Sequence, residues 1–231
     1  MKKNMKRSIA AVLAVIMVFT LAACGGTTGN SVNSNTETIV GGWTINTGDL
    51  DINSNEEALA AFQKAVEELL GCDYEPVALL ATQVVAGTNY CILARTTTVA
   101  AQPYTTYQLV YVYADLSGNC EVLKFEDLME GKLPQDGEIL DGGWGVNTGN
   151  FDIYDIDEAG EAFDLATSIP GGADYEPVCL MGGQVVAGLN RLYMARKTED
   201  DTAGFVLVEI FSDLEGNSSI TMETPIEFSI D

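Results

Sequence analysis

Thr82-Gln83-Val84-Val85-Ala86-Gly87-Thr88-Asn89-Tyr90 decides how this chain is read. Its centre, Gln83-Val84-Val85-Ala86-Gly87, stands between two strand-like runs and returns as Gln184-Val185-Val186-Ala187-Gly188. Hairpin tips normally take Gly, Asn, Asp, Ser or Pro. Two adjacent valines at a tip are costly in water unless something covers them. A tip of this kind, written twice, points to a surface kept for contact.

The recurrence extends outward at a constant offset of 101 between Gln83 and Gln184. Gly41-Gly42-Trp43 returns as Gly142-Gly143-Trp144, Asp73 to Val77 as Asp174 to Val178, and Ala94-Arg95 as Ala195-Arg196. A period this long suits a whole small domain and not a solenoid repeat. The chain reads as residues 1–23, a leader; 24–39, a flexible tether; 40–128, a first domain; 129–140, a linker; and 141–231, a second domain.

Each copy begins with a short strand carrying Trp43 or Trp144. Ser54 with Glu57 three residues on predicts a capping box. Ala58, Leu59, Phe62, Val66, Leu69 and Leu70 follow at helical spacing up to Gly71. The second helix is expected over 157–168, weakened by Gly160 and stopped by Pro170. Four strand-like runs follow in each copy. Asp115-Leu116-Ser117-Gly118-Asn119 and Asp213-Leu214-Glu215-Gly216-Asn217 have the chemistry of the last turn. The pattern predicts an α+β fold, each copy a curved antiparallel sheet wrapped on one helix. Val110, Val112, Val208 and Ile210 are expected to face the helices. Tyr111 and Glu209, on the opposite face, are expected to be partly solvated.

The chain contains 34 acidic and 11 basic residues and no histidine. Lys2, Lys3, Lys6 and Arg7 lie in the leader, so only seven basic residues follow it, for a net charge of −27. Such a chain does not grip nucleic acid, whose phosphates need Lys and Arg. Lack of histidine excludes Ser-His-Asp and Cys-His catalysis and removes the commonest zinc ligand. Asp49-Leu50-Asp51-Ile52-Asn53 opens like a calcium loop, but Ser54 and Ala60 stand where Gly and Glu are required. It is read as strand alternation running into a helix cap. No catalytic residue, metal site or cofactor is therefore expected. Cys72, Cys91, Cys120 and Cys179 have no cysteine at their repeat-equivalent positions. They are read as buried free thiols, with a disulfide as the alternative in an exported protein.

The basic start, the apolar run Ile9 to Ala23 and the small residues before Cys24 make a leader too short to span a bilayer. Leu21-Ala22-Ala23-Cys24 resembles the lipobox of bacterial lipoproteins. That resemblance implies a lipid on Cys24 and attachment to the extracellular face of a bacterial membrane. The Gly, Thr, Ser and Asn residues after Cys24 form a tether with a reach of about 20 Å.

The order of elements, together with Thr82 to Tyr90, resembles the cystatins, and the hairpin is similar to that of their stefin branch over nine consecutive residues. The resemblance implies tandem cystatin-like domains that inhibit papain-like cysteine proteases by inserting a wedge into the active-site cleft. The implied protease-binding residues are Gly41, Gly42, Gln83, Val84, Val85, Ala86, Gly87 and Leu116. Their counterparts are Gly142, Gly143, Gln184, Val185, Val186, Ala187 and Gly188. Trp43 and Trp144, next to the glycine pairs, have no match in that family. Gly182-Gly183 loosens the second stem, so the second copy is expected to bind more weakly. The alternative is a non-inhibitory binding or adhesion module on the cell surface.

Overall fold

The computed structural model describes residues 41–130, 132–133 and 142–230, which lie within one compact unit, Glu37–Asp231. Cys24, the leader, the tether and most of the connection between the repeats fall outside the described residues.

In the first repeat, β1 (Trp43–Ile45) is followed by α1 (Glu56–Val66), then β2 (Cys72–Val85), β3 (Gly87–Thr98), β4 (Thr105–Asp115) and β5 (Cys120–Asp127). In the second, β6 (Trp144–Val146) is followed by α2 (Ala159–Thr167), then β7 (Asp174–Val186), β8 (Gly188–Glu199), β9 (Thr202–Ser212) and β10 (Ser218–Pro225). Each repeat forms one five-stranded sheet with its strands in chain order and every neighbour antiparallel.

The α+β expectation is corrected. Among the described residues the fold is predominantly β, two long-stranded sheets with two short α-helices of 11 and 9 residues. The reason lies in where the apolar surface goes. The largest buried cluster joins one face of each sheet: Leu80, Leu93, Leu109 and Tyr111 from the first, Met181, Leu192, Met194 and Leu207 from the second. The helices cover only the other faces, through Phe62 on Val110 and Val112, and Phe163 on Val208 and Ile210. Burial of sheet against sheet, not of sheet against helix, therefore supplies the central core.

Two further expectations change with it. Tyr111 is fully buried against the second repeat. Its counterpart Glu209 is half-buried and paired with Lys132 at 2.8 Å. The sequence gives no sign of the second sheet, so the expectation fails at Tyr111, whereas Glu209 stays partly solvated. The α1 cap also differs: Asp51 caps a 3-10 turn at Ile52–Ser54, which pushes the helix start to Glu56 with Asn55 before it. Asn55 turns its amide to the carbonyls of Asp49 and Asp51, so no capping box forms. The helix stops at Val66, and Leu70 is left exposed.

Local chemistry explains several odd residues. Pro76 and Pro177 sit inside strands β2 and β7, where a missing N–H is normally disruptive. The short β1 and β6 cover only Ala81–Gln83 and Gly182–Gln184, so the proline N atoms lie on an open edge beside a bulge. Gly160 in α2 admits the Tyr154 ring, which would lie 2.4 Å from an added Cβ. Gly182 gives way to Met129 from the end of the first repeat, with an added Cβ 2.9 Å from its methyl and 2.5 Å from Gly145 O.

The repeated Ala-Arg dipeptide closes the sandwich. Arg95 donates to the carbonyls of Asn147 (3.3 Å) and Gly149 (2.8 Å) of the other repeat. Its guanidinium lies 4.4 Å from the Phe151 ring centroid and pairs with Glu75. Arg196 donates to the carbonyls of Asn46 and Gly48, both at 2.8 Å, and pairs with Glu176. All four cysteines after Cys24 are free; Cys91 and Cys179 are buried, Cys72 and Cys120 half-buried. Burial pushes the Cys179 thiol up to about 12, so it is inert at neutral pH. Among the described residues no helix is long and apolar enough to cross a membrane.

Candidate functional site

The residues singled out by the repeat meet along one edge of each sheet. In the first repeat β1 pairs with the hairpin stem, Trp43 opposite Gln83. The Gly41 N–H donates to Val84 O (3.2 Å), and the Gln83 amide donates to Gly41 O (2.9 Å). The other side of the Gln83 amide accepts from Asn89 at 2.6 Å. One glutamine thus ties the glycine-bearing segment to both arms of the hairpin. The second repeat repeats this: Gln184 donates to Gly142 O (2.7 Å) and accepts from Asn190 (3.0 Å).

On the other flank the hairpin leans on β4. Gly87 has φ +137° and lies opposite Asp115. A Cβ there would meet Ala114 O at 2.2 Å, and its counterpart at Gly188 would meet Ser212 O at 2.3 Å. Glycine is required at both positions by conformation and by space. The Tyr113 hydroxyl donates to Ala86 O at 2.7 Å and pins the tip of the first hairpin. Phe211 replaces it in the second repeat and supplies no such bond.

The turn after β4 is braced from within. The Asp115 carboxylate accepts from the Asn119 side chain and from the backbone of Asn119 and Ser117 at 2.7 to 2.8 Å. These bonds, led by that to the Asn119 side chain, hold the Asp115 carboxyl below its ordinary value. Asp213 does the same with Asn217. Lys64, from α1, donates to Gly118 O and holds the turn against the helix.

The result is a row of apolar groups on a rigid edge. Val84 and Val85 are 40% and 39% exposed, Val185 is 71% exposed, and Leu116 is 88% exposed. Gly41 and Gly142 are exposed and Gly42 and Gly143 half-buried, beside the tips. Val186 and Ala187 complete the second tip, and Leu214 mirrors Leu116. Trp43 and Trp144, unmatched in the cystatin resemblance, turn inward. Trp43 packs on Tyr111 and on Phe228 of the other repeat, and Trp144 is buried beneath Lys132. They anchor the start of each sheet and leave the glycines outside. The signal for this role was the pairing of each Trp with a Gly-Gly.

The calcium-like run Asp49 to Asn53 is used up in turns, its carboxylates accepting from the Asp51 and Asn53 backbone. Among the described residues no group of three or more His, Cys, Asp or Glu gathers to hold a metal. Each of the seven basic residues after the leader donates to a carboxylate or to a main-chain carbonyl: Lys64, Arg95, Lys124, Lys132, Arg191, Arg196 and Lys197. The remaining surface is acidic.

No protein-family model matches this sequence, and no curated protein matches it.

Proposed function

We propose that the chain inhibits papain-like cysteine proteases, with each edge acting as a reversible wedge and with a lipid on Cys24 holding the protein on the extracellular face of a bacterial membrane. The observation that carries this reading is the locked, solvent-facing row of Gly41, Val84, Val85 and Leu116. Valines are stiff at χ1, so little side-chain entropy is lost on docking. A tip held by the Gln83 bonds, the Tyr113 bond and the Gly87 close approach is preorganised, which converts contact area into affinity. The wedge fills a cleft and presents no bond to the protease nucleophile, so the chain is not consumed.

The second edge is the weaker one in this reading. It carries the same valines but has Phe211 where the first has the tip-pinning Tyr113. The acidic surface does not oppose docking on a basic protease. The test is capture of active papain on the immobilised protein, intact and with Val84→Asp/Val85→Asp. Capture by the intact protein and its loss in the variant support the reading. Equal capture by both removes the hairpin from the function.

A further inference from the structure

The second repeat differs from the first behind its hairpin in a concerted way. Where the first repeat has Tyr90, Ala114 and Cys120 packed between helix and sheet, the second has Arg191, Ser212 and Ser218. Arg191 is only 4% exposed. A buried guanidinium is expensive unless its donors are matched. Among the described residues it donates to Ser212 Oγ at 3.0 Å and reaches the Glu158 carboxylate at 3.4 Å. A guanidinium has five N–H donors; Nη1 is spent on Ser212, and Nη2 on the longer contact to Glu158. Ser212 in turn shares a 2.8 Å bond with Ser218.

Arg191 lines a cavity of about 480 Å³ between α2 and the two turns of the second repeat. Val185, Leu189, Leu165 and Leu214 provide its apolar wall. Glu158 occupies the Arg191 side loosely. Its side chain is 81% exposed, and its backbone is held at φ +60°, unusual for a residue with a side chain.

We infer that this cavity is a binding site for a carboxylate borne on a short branched aliphatic group, seated on Arg191 in place of Glu158. One planar fork fits one carboxylate in two parallel bonds. A doubly charged anion is disfavoured because Glu161 and Asp213 remain on the cavity wall after Glu158 is displaced. The aliphatic wall and the volume suit a leucine-sized body. The carboxylate is that of a free branched-chain acid or of a peptide C-terminus. The site shares Val185 and Leu214 with the second edge, but its assay contains no protease, so its failure and that of the protease reading are distinguishable.

The experiment is calorimetric titration of the protein with 4-methylpentanoate, with N-acetyl-alanyl-leucine, and with the C-terminal amide of that peptide. At least one carboxylate binds with a dissociation constant of about 1 mM or tighter, and the amide does not. Which carboxylate binds identifies the source. Arg191→Tyr, which installs the residue of the first repeat, lowers affinity at least about tenfold, and Glu158→Gln raises it about threefold. Arg191→Lys, keeping the charge without the fork, gives the same direction if the tyrosine variant melts early. No binding of either carboxylate at 10 mM, or binding unchanged by both Arg191 variants, overturns the site.

Discussion

Arg95 and Arg196 occupy equivalent places in the two repeats, and each ends on main-chain carbonyls of the opposite repeat. This reciprocal clasp makes the two sheets one structural unit. Removing either arginine takes a charged donor from two half-buried or exposed carbonyls of the opposite repeat and a charge from an acidic partner, although Asn147 O keeps the Tyr107 hydroxyl at 2.9 Å. Arg95→Ala is expected to destabilise the protein by about 1–2 kcal/mol, read by urea denaturation. In the double variant with Arg196→Ala, the single unfolding transition is expected to broaden or split. Retention of wild-type stability would mean the shared apolar core alone joins the repeats.

The hairpin tips depend on their glycines. Gly87→Ala places a Cβ 2.2 Å from Ala114 O at a positive φ, so the tip must lift off β4. The expected cost is about 2–3 kcal/mol in stability, with a larger relative loss of protease affinity because the edge is no longer aligned. Gly188→Ala is expected to cost a similar amount. Denaturation midpoints and inhibition constants, measured on the same samples, separate the two effects.

The paired hairpins and the turns at Leu116 and Leu214 follow from local chemistry: strand alternation interrupted by Gly, Asn and Asp. So does the assignment of Val110 and Val208 to the helix side. The face-to-face packing did not follow, because Tyr111 looks like a solvent-face residue until a second sheet covers it. Helix ends were misplaced because Asp51 caps a 3-10 turn that no periodicity announces. Arg191 escaped notice for a related reason. A lone arginine in a strand reads as surface, and only its burial beside Ser212 makes it unusual.

The bond from Tyr113 to Ala86 O distinguishes the two edges. Tyr113→Phe is expected to cost about 1 kcal/mol and to raise amide exchange at Val85 and Ala86 toward the rates of Val186 and Ala187. Phe211→Tyr is expected to slow exchange in the second tip. Identical exchange in both repeats of the unaltered protein would contradict this account of the difference.

The carboxyl groups of Asp115 and Asp213 are held below their ordinary value by the Asn119 and Asn217 side chains and by backbone N–H groups. A carboxyl whose folded value is depressed stabilises the folded form above its unfolded value, near pH 4. That contribution is lost as pH falls from about 4 through the depressed value. Both turns are therefore expected to hold their shape through neutral and mildly acidic pH and to loosen only below that window. Carboxyl chemical shifts followed by NMR check the direction, and Asp115→Asn should abolish the pH dependence of the first turn alone.

The central claim is that Val84 and Val85 plug a cysteine-protease cleft, and titration of papain activity with the protein tests it most directly. Reversible inhibition is expected at nanomolar to micromolar concentration, with the chain left uncut. Val84→Ala and Val85→Ala should each weaken inhibition about tenfold while leaving the fold unchanged. Full papain activity at micromolar protein, or inhibition indifferent to both valines, would contradict it.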